Sequence, residues 1–172
     1  IYSLVMKHIK LSVCIPTYNR SESLINCLQS IESCHAHNKI QICISDNASN
    51  DQTKEVVRKY KDKLNIKYYR FDANMGRVKN YLNVIRMADG EFTWLIGDDD
   101  LLVPNWIEKI LKLIEANLAV DFFYINSFNL STEYVFSYPQ PFDTIDLPCK
   151  MTKFSNYKSE GRLNFFDLIN PK

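Results

Sequence analysis

The sequence predicts an α/β fold, a mostly parallel sheet flanked by helices, and three observations carry that prediction. Short β-branched apolar runs alternate with segments whose apolar residues recur at helical spacing, over the first two-thirds of the 172-residue chain. Such alternation marks parallel βαβ units, because parallel neighbours need a crossover connection. Three of the strand runs end in polar clusters, Thr17-Tyr-Asn-Arg20, Asp46-Asn47 and Asp98-Asp-Asp100. In parallel sheets ligands bind beyond the carboxyl ends of the strands, so these clusters can converge on one site.

In chain order, residues 10–15 alternate and are β-rich, and Pro16 is read as the end of that strand because proline donates no ladder hydrogen bond. Ser21 opens a helix marked by Leu24, Leu28 and Ile31. Residues 40–45 form the second strand and run into Asp46. Ser49 with Gln52 three residues on has the spacing of a capping box for a helix carrying Val56, Val57 and Tyr60, and Asp51 reads as a capping residue. Residues 66–71 are a third strand, Asn74-Met-Gly76 a turn, and residues 78–87 a third helix stopped by Asp89-Gly90. The apolar run from Phe92 reads as a buried strand leading to Asp98. Pro104 sits where a helix start tolerates it, and Trp106, Ile107, Ile110, Leu111 and Ile114 give that helix an apolar face. Residues 121–126 read as a further strand. From about Ser131, aromatics with Pro139, Pro141 and Pro148 indicate an irregular surface region, and residues 165–169 look like the start of a helix. The chain divides into an N-terminal extension (residues 1–9), a main domain (10–130) and a C-terminal region (131–172).

Composition narrows the function classes. With 46% hydrophobic and 24% charged residues the chain suits one globular domain with a real core. A net charge of +1 offers nothing to a polyanion, so no nucleic-acid partner is implied. No run approaches the ~18 apolar residues of a membrane span. The five cysteines contain no C-x-x-C pair, and Cys14 and Cys43 lie inside apolar strand runs, which fits a reducing cytoplasm. Four glycines leave room for neither a G-x-G-x-x-G nor a P-loop pattern, which removes the usual dehydrogenase and P-loop readings.

The chemistry concentrates on Asp98-Asp99-Asp100, wedged between Trp94-Leu-Ile96 and Leu101-Leu-Val103. Adjacent carboxylates repel one another, and ionising all three where they are partly buried calls for a compensating cation. Oxygen-only ligands suit Mg²⁺ or Mn²⁺, with phosphate oxygens completing the shell; the plain alternative is a solvated acidic turn. A nucleoside diphosphate carried by such an ion would use this triad, Asp46 at a strand end, and the cations Arg20, Arg77 and Lys79. Asp46 can accept from a base imino group or a ribose hydroxyl, and Tyr18 can stack on a base. Arg77 and Lys79 are by base rate more often solvated helix charges, and Asn74 and Gly76 can be explained by backbone geometry alone.

The ordered segments Leu11-Ser-Val-Cys-Ile-Pro-Thr-Tyr-Asn-Arg20, Ser45-Asp-Asn-Ala-Ser-Asn-Asp51, Asn74-Met-Gly76 with Asn80, and Ala88-Asp-Gly-Glu-Phe92 followed by Gly97-Asp-Asp-Asp100 resemble the family 2 glycosyltransferases over roughly residues 10–130. The resemblance implies the GT-A fold, a Rossmann-like nucleotide-diphospho-sugar transferase fold. It implies inverting transfer of a sugar from a UDP-, GDP-, CDP- or dTDP-sugar to an acceptor hydroxyl on a glycan or glycolipid. A divalent metal, Mn²⁺ or Mg²⁺, is the implied cofactor. By the same resemblance Pro16, Thr17, Tyr18 and Asn19 line the nucleoside pocket, Asp46 contacts the base, and Gly76 and Lys79 belong to the nucleotide-sugar site. Asp98 faces the ribose or the metal, and Asp99 or Asp100 ligates the metal, with Asp99 favoured. The family-level expectation is bacterial surface polysaccharide synthesis, lipopolysaccharide or capsule, in the cytoplasm at the inner face of the membrane. Residues 10–130 would then bind the donor, and residues 131–172 would begin the acceptor side.

Three positions depart from the family pattern. Asn47 stands where an Asp is frequent, Ala48 where a Gly is, and Gly97 where many members place the first Asp of D-x-D. An inverting transfer also needs a general base, and the late carboxylates Asp143, Asp146, Glu160 and Asp167 have no matching context, so the chain is expected to be the N-terminal portion of a longer enzyme. Two rival readings are a nucleotidyltransferase, whose glycine-rich basic loop is missing after Pro16, and a non-catalytic nucleotide- or partner-binding module. The late aromatics Phe122, Phe123, Tyr124, Phe128, Tyr134, Phe136 and Tyr138 serve either a sugar-stacking platform or core and subunit packing, and such a surface would suit a homodimer.

Overall fold

Period-2 alternation in the strands decides how this molecule is layered. The computed structural model describes residues 8–154. Its central sheet contains β1 (Leu11–Thr17), β2 (Gln41–Asp46), β3 (Ile66–Arg70) and β4 (Phe92–Leu95), in the order β3-β2-β1-β4. All pairings are parallel. Leu11, Val13 and Ile15 of β1 and Ile42 and Ile44 of β2 point to one face. There they meet apolar stripes on α1 (Ser21–Glu32), α2 (Thr53–Tyr60) and α4 (Trp106–Ala116). The alternate residues Cys14 and Cys43 point the other way, to Val84 and Met87 on and just beyond α3 (Arg77–Arg86). Four of the cysteines are thus free and buried, and Cys149 is exposed. Trp106 is half-buried; the other apolar residues expected to mark α1, α2 and α4 are buried.

Pro16 does not end β1, which continues to Thr17. The Cys14 carbonyl accepts from Ile96 on the β4 side (3.1 Å), whereas the Thr17 carbonyl accepts from Asn47 on the β2 side (3.0 Å). Residue 16 faces the same way as residue 14, so its missing N–H falls on the β4 side, where pairing stops at Cys14–Leu95. On the β2 side Pro16 and Thr17 stay in register with Ser45 and Asp46.

Other expectations also need correction. β4 is not a buried strand: among the described residues it is an edge, with Thr93 and Leu95 exposed and Phe92 and Trp94 half-buried. The capping box at Ser49 and Gln52 does not form. Ser49 Oγ instead accepts the Asn19 N–H (2.9 Å), and Asp51 serves α2 by accepting the Thr53 N–H (3.0 Å). A carboxylate at a helix N-terminus outcompetes a hydroxyl for those donors. Residues 121–126 do alternate, with Phe123 and Ile125 turned to the core and Phe122 and Tyr124 exposed, but they enter no strand ladder. Side-chain packing holds them, Phe123 lying 5.8 Å from Phe92 between ring centroids. The pairing that does form there is antiparallel, β5 (Phe128–Asn129) with β6 (Thr152–Lys153).

The region after Ser131 is more ordered than its prolines imply. Ser131 caps a short helix, α5 (Thr132–Phe136), by accepting the Tyr134 N–H (3.1 Å). Phe142 is wholly buried beside Tyr134 and Tyr138. Asn26 of α1 accepts the Phe142 N–H and donates to Gln140, both at 2.7 Å, which ties the segment to the sheet's helical layer. The helix expected at residues 165–169, and the carboxylates Glu160 and Asp167, lie outside the described residues.

Candidate active site

The site is built where β1 and β2 end in register, Thr17 opposite Asp46, so that the loops leave the sheet at one height. Thr17 ties the loops after β2 and β4 to helix α3. Its carbonyl accepts the Asn47 N–H (3.0 Å) and the Asn80 side-chain amide (3.2 Å), and its hydroxyl donates to Asp98 Oδ2 (2.8 Å). A cleft of about 460 Å³ opens above this junction. Pro16, Thr17, Tyr18 and Arg20 form one wall, Asn47, Asn74 and Gly76 another, and Arg77, Asn80 and Tyr81 of α3 a third, with Asp98 at the floor.

The three adjacent carboxylates have three different environments. Asp98 is 4% exposed, and burial pushes its carboxyl up to about 6 against the opposing pull of the Thr17 hydroxyl and Arg20. Asp99 is open to solvent and pairs with Arg20 Nη2 at 2.8 Å, while Arg20 Nη1 lies 3.4 Å from Asp98 Oδ1. Asp100 is held to its own turn, accepting the Gly97 N–H at 2.7 Å, and burial raises its carboxyl too. A Cβ at Gly97 would stand 2.6 Å from Asp99 Oδ1, so a side chain there would displace the exposed Asp99 carboxylate from its present position. Among the described residues no three acidic, histidine or cysteine side chains converge, so the expected set of Asp98, Asp99 and Asp100 is not assembled as one ligand shell. Asp98 leans on the Thr17 hydroxyl and Asp100 on the Gly97 N–H, and the Arg20 guanidinium is the compensating cation in place. Asp98 and Asp99 nevertheless present oxygens to one and the same guanidinium. That pair suits a hard cation whose other ligands are phosphate oxygens.

The remaining expected residues divide cleanly. Pro16, Thr17, Tyr18, Gly76 and Asp98 line the cleft. Gly76 has φ +83°, a conformation that side chains disfavour, and its N–H donates to Asn74 Oδ1 (2.9 Å). Asn19 and Lys79 are exposed and form no part of the lining. Asn19 instead joins two loops, its side chain accepting the Asn50 N–H at 2.8 Å. Asp46 is fully buried and also stands off the cleft. Its oxygens accept from the Ser49 N–H and the Tyr68 hydroxyl, both at 2.7 Å, with Arg70 Nε 3.5 Å away. Burial and this bond together push the Tyr68 phenol well above its ordinary value.

Arg77, expected among the cations for a diphosphate, is on the cleft, whereas Asn47, Asn80 and Tyr81 are cleft residues to which the sequence reading gave no ligand role. Asn47 accepts the Met75 N–H and donates to Asn74, both at 2.8 Å, so a carboxylate at 47 could not do both jobs. For Asn80 a signal was available. The inward stripe of α3 reads Asn80, Val84, Met87, and a polar residue in an otherwise apolar stripe asks for a reason.

A second cleft, of about 530 Å³, lies on the far side of the acidic turn. Asp99 and Asp100 share its wall with Trp94, Trp106, Phe128 and Phe136. Asp143 and Asp146 are not on it; Asp143 caps its own turn through the Ile145 N–H (3.0 Å). The acidic turn therefore separates a polar, arginine-bearing cleft from an aromatic one.

Known proteins share this framework. The chain is 43% identical over 113 residues to abequosyltransferase RfbV of Salmonella typhimurium, covering 64% of this chain and 34% of RfbV. It is 34% identical over 112 residues to the GalNAc(5)-diNAcBac-PP-undecaprenol beta-1,3-glucosyltransferase of Campylobacter jejuni, covering 64% of this chain and 36% of that protein. The chain thus spans about a third of the length of these relatives. Among solved structures, that of S. aureus TarS 1-349 in complex with UDP matches with a TM-score of 0.60 at 28% identity, over 63% of this chain and 33% of that one. The parallel sheet with helices on both faces is accordingly of the GT-A type. Residues 12–169 match the family model described as glycosyl transferase family 2, and with the acidic turn and its strand-end cleft in the matched region, the chain belongs to that family.

Proposed function

We propose that this chain carries the donor-binding half of an inverting glycosyltransferase, which moves a sugar from a nucleoside-diphosphate donor to an acceptor hydroxyl during surface-glycan synthesis. The observation that supports it best is the pair of clefts meeting at Asp98–Asp100. A sugar held at that turn has its nucleotide on the arginine side and its acceptor on the aromatic side. The TarS structures with UDP and with UDP-GlcNAc, and the names of the relatives, favour a nucleotide-sugar and a surface glycan.

In this reading Tyr18 offers its ring to the base, and Arg20 and Arg77 meet the diphosphate. Asp98 and Asp99 would hold Mn²⁺ or Mg²⁺. When bound, such an ion offsets negative charge on the departing diphosphate. The chain's own groups do the positioning: Thr17 and Arg20 orient Asp98, and Asn47 fixes the Asn74–Gly76 wall. Buried free cysteines fit work in a reducing compartment, the cytoplasm.

Calorimetric titration of UDP, GDP, CDP and dTDP into the purified chain, with Mn²⁺ and with excess chelator, tests the reading. Metal-dependent binding of one diphosphate, lost in Asp99→Asn, is the expected result. A folded chain that binds none of the four would sink the donor-site assignment.

A further inference from the structure

Among the described residues, one buried side-chain oxygen or nitrogen has no hydrogen-bond partner, and it is Asn80 Oδ1. Asn80 is 4% exposed and lines the arginine-bearing cleft. Its orientation is determined, because Nδ2 donates to the Thr17 carbonyl at 3.2 Å and a flipped amide would set two oxygens against each other. A buried acceptor without a donor is costly, and a ligand that brings the donor recovers that cost.

We propose that Asn80 is a specificity residue of the cleft, whose Oδ1 accepts a hydrogen bond from the nucleoside part of the bound nucleotide. This rests on the donor-site reading above. The chemistry of the cleft selects the nucleoside. Diphosphate oxygens at neutral pH are acceptors only and would be repelled by an amide oxygen, whereas Arg20 and Arg77 suit them. The partner of Asn80 is then a neutral donor, either a ribose hydroxyl or a ring or amino N–H of a base. Asp46, the strand-end acid that could have met such a donor, is sealed by Ser49, Tyr68 and Arg70. Asn80 supplies the acceptor that Asp46 withholds. Being uncharged, it does so without burying a further anion beside Asp98.

The test is a coupling experiment by calorimetry on wild type and Asn80→Leu, with Asn80→Ala as a second variant and thermal melts to confirm folding. The probes are UDP, 2′-deoxy-UDP, 3′-deoxy-UDP and N3-methyl-UDP, or the same set built on whichever base the wild type prefers. Wild type should bind one analogue about tenfold more weakly than its parent, while the variants bind that analogue and its parent alike. A response to a deoxy analogue places the partner on the ribose, and a response to the methyl analogue places it on the base. Equal binding of every analogue by wild type overturns the inference. So does a variant that weakens parent and analogues by one common factor, since a purely structural role would do that. Wild type binding none of the probes would defeat the donor-site reading itself, an outcome distinct from either.

Discussion

Asp46 and Asp98 leave the same edge of the sheet on either side of β1, and both are buried, yet they do opposite things. Asp46 is wired into the protein by a backbone N–H, a phenol and a guanidinium, and it stands off the cleft. Asp98 has a hydroxyl and a shared arginine, its carboxyl is raised to about 6, and it forms the cleft floor. The first is fully partnered within the chain; the second is held short of full satisfaction. Burial at a ligand-binding edge is therefore no guide to function by itself. What the chain leaves unsatisfied is the better guide, and Asn80 belongs with Asp98 on that count.

This contrast can be broken by experiment. Asp46→Ala should cost the most, roughly 3–5 kcal/mol in urea denaturation, because Tyr68 and Arg70 lose a buried anionic partner. A loss under about 1 kcal/mol would return Asp46 to the pool of ligand-binding residues. Asp98→Asn should have the opposite sign. The carboxyl titrates near 6 when folded against an ordinary 3.8, so its ionisation opposes folding above about pH 6 and ceases to matter below about pH 4. In excess chelator the variant should be more stable than wild type at neutral pH by roughly 1–3 kcal/mol, the gap closing on acidification. A variant less stable than wild type at neutral pH would mean that Thr17 and Arg20 satisfy Asp98 after all. Asn47→Asp sharpens the comparison on the β2 side. It deletes the donor to Asn74 and should cost about 1–2 kcal/mol, with weaker nucleotide binding measured in the same preparation. The smallest change is Ala48→Gly. Ala48 sits at φ 65°, so glycine there should raise stability by about 0.5 kcal/mol and leave nucleotide binding untouched.

Much of the scaffold was readable from local pattern. Leu24, Leu28 and Ile31, or Ile42 and Ile44, reveal their faces through spacing alone, and a parallel sheet follows from the order of such segments. Residues 121–126 show the limit: alternation reports half-burial of an extended chain and says nothing about whether a ladder partner exists. The strand ends that carry the site were legible for the same local reason. Their pairings were not, because Thr17 meets Asp98 across 81 positions, Arg20 meets Asp99 across 79 and Asn80 meets Thr17 across 63. No window of sequence contains both partners. A polar residue in an apolar stripe, as at Asn80, is the nearest a local reading comes to such a contact.

Pro16 has a consequence for how the sheet grows. Strands that have begun to pair tend to go on pairing for as long as each new residue brings a donor. On the β4 side the next donor of β1 would be residue 16, and proline has none. The zipper therefore jams one step past Cys14, and the chain after Leu95 is free to turn outward with its three aspartates. Restoring an N–H at that point, by replacing Pro16, would offer β4 a way to run on and draw shut the cleft above Asp98.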